Sequence, residues 1–213
     1  MDNVDIPKPQ AQSTLDPIGE DDRWDHLRRL LTDEHLPLDA RAGGALVLLY
    51  GLPVSRITKL RANDVSRRDN RTYLNLGTQP LLLPPAVAAL RDRQARHATS
   101  VTVLHRGNPT GPAWLFPGGF PGRPARDVLY RKLRATIPHI RRSRSAALIN
   151  LAADLPARIL ADLLDLNINT AVQWTQHASR DWSHYLQART GTPASSRQGA
   201  TVPVGGSRGD APE

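Results

Sequence analysis

A cluster of arginines beside a histidine is the part of this sequence best suited to bind phosphate. Arg141, Arg142 and Arg144 follow His139 closely and precede the largely apolar run 146–151. Guanidinium groups pair with phosphate oxygens without reading base sequence, and the N–H groups at a helix start also attract phosphate. The cluster therefore predicts a backbone contact that contributes affinity. The alternative is that His139 and Arg142 are solvated surface residues.

A second polar group follows a predicted turn between two short helices at residues 160–174. Ala161 is small where the helices must touch, and Ala171 and Trp174 recur at i, i+3 spacing on the inner face. Asp165 occupies the turn position where glycine is usual, and Asp tolerates left-handed backbone better than most residues. The residues we expect near base edges are Asn167, Asn169, Thr170 and Gln173. A compact helical hairpin that does not bind DNA has the same pattern, so both interpretations stay open.

The charge of the chain is unevenly distributed. The 213 residues carry a formal net charge of +8, with 28 Lys and Arg against 20 Asp and Glu. Residues 23–190 hold 25 of the basic residues but only 12 of the acidic ones, a balance of about +13. This excess predicts a polyanionic partner, most simply duplex DNA. A GC-rich genome explains the preference for Arg over Lys, but it does not explain the sign of the charge.

Several kinds of site are not indicated by the composition. The chain has no cysteine, so it forms neither a disulfide nor a thiolate metal site. The seven histidines form no H-x-x-x-H pair, and we expect no metal and no cofactor. Without an apolar run near 18 residues or a signal peptide, we expect no membrane contact and a cytoplasmic protein, associated with the nucleoid if it binds DNA.

The periodicity predicts one mainly α-helical domain with a small antiparallel β hairpin. Residues 1–22 and 191–213 are rich in Pro, Gly and Ser or in acidic residues and are predicted to be disordered tails, which leaves 23–190 as the domain. The predicted elements outside the turn motif are helices at Trp24–Leu31, Ala40–Tyr50, Val54–Leu60, Ala86–His97, Arg126–Arg134, Ser143–Ala153 and Asp181–Arg189, strands at Thr72–Leu76 and Leu81–Leu83, and an apolar plug at Trp114–Pro117.

The order of four stretches resembles the catalytic domain of tyrosine recombinases, the phage-integrase and Xer-type enzymes. The similarity covers roughly residues 25–185 and implies a domain that binds double-stranded DNA and allows a homo-oligomer on it. The first two stretches are 48–60, similar to the family's TGLRVSELLxL, with 63–65 after it like xSDID, and 115–117 with 128–129, similar to LFPS…GxxLSxxxVxxxLR. The other two are 138–147, similar to TPHKLRHTFAT, and the turn motif of 160–174, which falls where the family has LLGHSSISTTxxY, with Asp165 and Leu166 at its glycine and histidine.

The resemblance also implies a defined set of catalytic groups. Two arginines and a histidine neutralise the scissile phosphate, a hairpin lysine protonates the leaving 5′ oxygen, and a tyrosine attacks phosphorus. Pro53 occupies the position of the first arginine, with Arg56 one helical turn away at the family's glutamate position. The hairpin lysine is missing, because no lysine occurs between Lys59 and Lys132.

The remaining catalytic positions match only in part. His139 and Arg142 fit the family's H-x-x-R spacing, although an alternative register places Arg141 and Arg144 there. The nucleophile position falls on Gln173 or Trp174, neither of which can attack phosphorus. Tyr185 is the only tyrosine downstream, about ten residues late. The relic candidates are therefore Arg56, His139, Arg142 and Tyr185.

Three functions are compatible with these observations. The first, which the sequence favours, is a DNA-binding protein on a degenerate recombinase fold without strand cleavage. The second is an active recombinase with Tyr185 as a displaced nucleophile. The third is a helical protein-interaction module. Loss of the nucleophile together with the lysine favours the first over the second, because catalytic groups of this kind act as a unit.

Overall fold

The computed structural model describes residues 18–104, 114–118 and 126–190. It confirms a mainly helical fold with a small antiparallel sheet. Among the helices of these ranges, none is long and apolar enough to cross a membrane. The helices are α1 (Glu20–Thr32), α2 (Leu38–Tyr50), α3 (Val54–Ile57), α4 (Pro85–Leu104), α5 (Arg126–Thr136), α6 (Ile140–Asp154), α7 (Ala157–Leu164) and α8 (Ile168–Thr190), and the strands are β1 (Val65–Arg68), β2 (Arg71–Asn75) and β3 (Pro80–Leu83).

Helix α2 forms the centre of the core and contacts α1, α3, α4, α5 and α6. Nearly all of its side chains are buried, so its apolar character extends around the whole helix rather than along one stripe. It ends at Gly51, whose backbone is left-handed with φ 61°. A Cβ there would lie 2.5 Å from Cγ of Leu148 on α6, so the residue must be glycine on both conformational and steric grounds.

The sheet has three strands in the order β1-β2-β3, with both pairs antiparallel. Sequence analysis predicted β2 and β3 but missed β1. Strand β1 reads Val-Ser-Arg-Arg and has too little apolar alternation to indicate a strand by itself. It forms because β2 offers a partner across the Asp69-Asn70 turn, where both residues have positive φ, as a tight two-residue hairpin turn requires.

The boundaries of several predicted helices were wrong, including that of α4, which runs to Leu104 instead of ending at His97. Helix α1 begins at Glu20, inside the predicted N-terminal tail, and α3 ends at Ile57 instead of Leu60. The predicted last helix is not separate, since α8 continues from Ile168 to Thr190. The helix does not break near residues 178–180 because Ala178 is buried and extends the inner stripe of Ala171 and Trp174. The rest of both tails lies outside the described residues.

The apolar plug is confirmed as a buried segment that closes one side of the core. Leu115 and Phe116 are each 1% exposed, and the N–H of Leu115 donates to the carbonyl of Leu60 at 2.8 Å. The guanidinium of Arg61 lies 4.6 Å from the ring centre of Trp114, a cation–π contact. These contacts fix the chain after α3 and so help to position the site described next.

Candidate nucleic-acid interface

A cleft of about 520 Å³ lies where α3, the sheet and the α7–α8 turn meet. This central cleft contains the positions that the family resemblance assigns to the first catalytic arginine and to the histidine of LLGH, which are Pro53 and Leu166. Its lining residues come from α3 and its flanks (Pro53, Ser55, Arg56, Lys59, Leu60), from the sheet region (Asp64, Asn75, Leu76) and from the turn (Leu164, Asp165, Leu166).

Arg56 connects all three walls of the central cleft. Its Nη1 lies 2.6 Å from Oδ2 of Asp165, and its Nη2 donates to the carbonyl of Leu76 at 2.7 Å. The side chain is 30% exposed. Both terminal nitrogens of Arg56 are therefore engaged by protein groups. The guanidinium neutralises the carboxylate of Asp165, a residue that stands where the family has glycine.

Asp165 ends α7 with left-handed backbone, φ 49° and ψ 52°. The N–H of Leu166 reaches back to the carbonyl of Ala161 at 3.0 Å, the return bond that glycine usually permits at a helix C-terminus. Helices α7 and α8 thus meet at a tight turn, with an aspartate in the left-handed position. The sequence indicated that conformation, but it did not indicate that Arg56 would be the partner of the carboxylate.

The loop between β2 and β3 is packed directly against α7. A Cβ on Gly77 would lie 2.0 Å from the carbonyl oxygen of Asp162, and the N–H of Gln79 donates to that same oxygen at 3.3 Å. The family resemblance places the catalytic lysine near Gly77 and Thr78, and this loop has no lysine. Exposed Lys59 lines the central cleft from the α3 side, a location that sequence analysis did not consider.

The three arginines at the start of α6 differ in their exposure to solvent. Arg141 and Arg142 are exposed, whereas the Nε of Arg144 donates to the carbonyl of Gly51 at 2.7 Å. Burial lowers the pKa of the Arg144 guanidinium below its usual range. His139 is exposed and left-handed, with φ 55°, and is not among the residues that line the central cleft.

These positions bear on the two registers of the H-x-x-R motif. Arg144 lies against Gly51, two residues before Pro53, and Ser143 just before it is fully buried. The alternative register, with Arg141 and Arg144, therefore brings an arginine to the end of α2. Arg144 therefore has a structural role, since its side chain ties α6 to α2, and its contribution to phosphate affinity stays a prediction.

The start of α8 presents two amide side chains on one face. Asn169 and Gln173 are exposed and are separated by i, i+4 spacing, so they are neighbours on the helix surface. Thr170 is half-buried. Asn167 caps the helix, since its Oδ1 accepts the N–H of Asn169 at 2.9 Å, so its side chain is engaged at the start of α8.

One of the two residues that the family resemblance places at the nucleophile position, Gln173 or Trp174, is a core residue. Trp174 is 9% exposed and packs with Ala171 against the rest of the core, which confirms the prediction that it is a core side chain. Tyr185 lies eleven residues further along the same unbroken helix, about 16 Å away at 1.5 Å per residue. Its side chain is outside the described residues.

Comparison with known proteins identifies the fold. No protein-family model matches the chain, and no curated sequence does either. The chain is similar in structure to the XerH site-specific recombinase bound to palindromic difH substrate in a post-cleavage complex, with 13% identity, a TM-score of 0.57, and coverage of 86% of this chain and 56% of that one. It is also similar to the Tn1549 transposon integrase in complex with transposon right end DNA, with 16% identity, a TM-score of 0.51, and coverage of 81% and 65%.

These similarities confirm that the chain has a tyrosine-recombinase catalytic-domain-like fold, as the motif order predicted. The chain spans less than two thirds of either recombinase chain. At this level of identity the similarity establishes the fold alone, so the function must be argued from the residues of the site.

Proposed function

We propose that this protein binds duplex DNA through a recombinase-like fold and does not cleave it. The observation that carries the proposal is the Arg56–Asp165 ion pair in the central cleft. A strand-transfer site must offer cations to a pentavalent phosphate, but here the guanidinium in the cleft is bonded to a carboxylate and to a backbone carbonyl. An ion pair of this kind attracts a phosphate far less than a free arginine does.

The rest of the catalytic set supports the same conclusion. Pro53 carries no charge, the β2–β3 loop has no lysine, and neither Gln173 nor Trp174, the two residues matched to the nucleophile position, carries a hydroxyl. A missing general acid alone typically costs about 10²–10⁴ in rate. Since the groups act together, loss of the nucleophile and the lysine removes the reaction.

Binding to DNA is supported by charge and by the exposed polar groups. The domain carries a large excess of arginine, and both similar recombinase structures are DNA complexes. We assign backbone contacts to exposed Arg141 and Arg142. We assign sequence preference to Asn169 and Gln173, because amides pair with two adjacent base atoms in the major groove, each good pair discriminating by about 1–3 kcal/mol.

The binding test measures the fluorescence anisotropy of labelled duplexes at several salt concentrations. We expect log K to fall steeply with log salt, by roughly 0.9 per phosphate contacted. Asn169→Ala should flatten the preference among duplex sequences while non-specific binding persists. The matched control is Asn150→Ala, since the amide of Asn150 already bonds Glu20 at 3.1 Å. Affinity that is absent, or independent of salt, would favour the protein-interaction module instead.

The cleavage test uses a nicked suicide duplex followed by a denaturing gel. We expect no covalent protein–DNA adduct from the wild-type chain. An adduct that disappears in Tyr185→Phe would show that the catalytic centre has been rebuilt around Tyr185, and it would overturn the proposal in favour of an active recombinase. Binding in the first test makes a negative result here meaningful.

A further inference from the structure

The β1–β2 hairpin tip has a pair of arginines that the central cleft does not use. Arg68 and Arg71 face each other across the two strands and are both exposed. Directly opposed residues in a hairpin lie about 4.5–5.5 Å apart at Cα, and like charges in this arrangement are destabilising. The repulsion between the two arginines therefore lowers the stability of the folded protein when no anion is bound.

The neighbouring arginine on the same strand shows the contrast. Arg67 points to the other side of β1 and pairs with Asp92 of α4. Within the described part of the chain, neither Arg68 nor Arg71 has an ion pair, and Asp69 in the turn between them pairs with neither. The two charges at the tip thus remain available to an external anion, whereas that of Arg67 is neutralised internally.

The outer face of the sheet connects this tip to the central cleft. Side chains alternate between faces along a strand, so Arg71, Tyr73 and Asn75 share the face opposite to buried Thr72 and Leu74. Asn75 lines the central cleft. Arg71 lies four residues earlier, about 13–14 Å away along β2. One side of a single strand therefore leads from the cleft to the basic tip.

We infer that the outer face of the sheet is a second contact surface for duplex DNA, with Arg68 and Arg71 binding phosphates about 13–14 Å from the central cleft. This inference rests on the proposed function. A duplex carries one phosphate charge per 3.4 Å of axis on each strand, so a backbone seated over the cleft presents phosphates within reach of the tip, about four base pairs along. The bound phosphates offset the repulsion between the two arginines.

The test compares salt dependence in three full-length proteins. Removing two phosphate contacts with Arg68→Gln/Arg71→Gln should make the slope of log K against log salt less steep by about 1.8, or about 0.9 per contact. Arg67→Gln removes one arginine charge from β1, next to Arg68, and should leave the slope unchanged because Arg67 is already paired with Asp92. A slope that is equal in wild type and double variant, or equally reduced by Arg67→Gln, overturns the inference while the proposed function stands. A wild type that does not bind overturns the proposed function itself.

A single variant links the contact to stability. Arg71→Glu places opposite charges across the hairpin, so the melting temperature of the free protein should rise, since cross-strand repulsion becomes attraction. The same variant should lose DNA affinity and make the slope less steep by about 0.9, for the one phosphate contact removed. A stability gain with unchanged binding would identify the arginine pair as an ordinary solvated surface and would overturn the inference.

Discussion

Substitution of Asp165 tests whether the ion pair or the left-handed turn dominates the energetics of the central cleft. The pair with Arg56 joins a side chain that is 30% exposed to one that is 57% exposed. Such a pair contributes about 0.5–1 kcal/mol, near the upper end for surface salt bridges. The backbone at φ 49° costs an L-residue about 1–2 kcal/mol, and Asp somewhat less.

Three variants separate these terms. Asp165→Asn keeps a residue that tolerates the turn and loses only the charge, so it should cost about 0.5–1 kcal/mol. Asp165→Ala loses the pair and tolerates the turn poorly, at about 1–2 kcal/mol in total. Asp165→Gly loses the pair but relieves the strain, and its stability should lie within about 0.5 kcal/mol of wild type.

Urea denaturation measures the free energy of unfolding of each variant, and a thermal melt should show about 2–4 °C per kcal/mol for a domain of this size. A double-mutant cycle with Arg56→Ala and Asp165→Asn should give a coupling energy of about 0.5–1 kcal/mol. If the two variants are additive within about 0.3 kcal/mol, or if Asp165→Ala is no worse than Asp165→Asn, the assignment of energies given above is wrong.

The other predictions concern single contacts around the central cleft. Arg144→Ala should lower the free energy of unfolding by about 1–3 kcal/mol, because the carbonyl of Gly51 loses its donor. Arg141→Ala is the control, and it should weaken DNA binding but leave the melting temperature unchanged. Equal melting temperatures for the two variants would contradict the structural role of Arg144. Gly77→Ala should lower the melting temperature by several degrees. The added Cβ would lie 2.0 Å from the carbonyl oxygen of Asp162, and overpacking of this kind costs about 1–3 kcal/mol. An unchanged melting temperature would show that the loop moves away from α7 at little cost.

The sequence determined the parts of this protein that depend on local patterns. The i, i+3 spacing of Ala171 and Trp174 predicted a buried stripe on the second helix of the turn motif, and both are buried. The order of short motifs predicted the fold, because each marks an element that packs on the same core. Residue types alone also revealed the missing lysine and the proline at an arginine position, since no folding can supply an absent functional group.

Only the tertiary structure decided which distant groups meet. Arg56 and Asp165 are separated by most of the domain, and no local pattern indicates that their side chains pair. The same holds for Arg144. One register of its motif predicted a phosphate contact, whereas in the structure its Nε donates a hydrogen bond to the carbonyl of Gly51. Strand β1 formed despite a weak pattern because its partner strand supplies the hydrogen bonds. Local sequence sets the propensity of each segment, but packing selects its partners, and in this protein those partners determine which arginines are engaged within the fold.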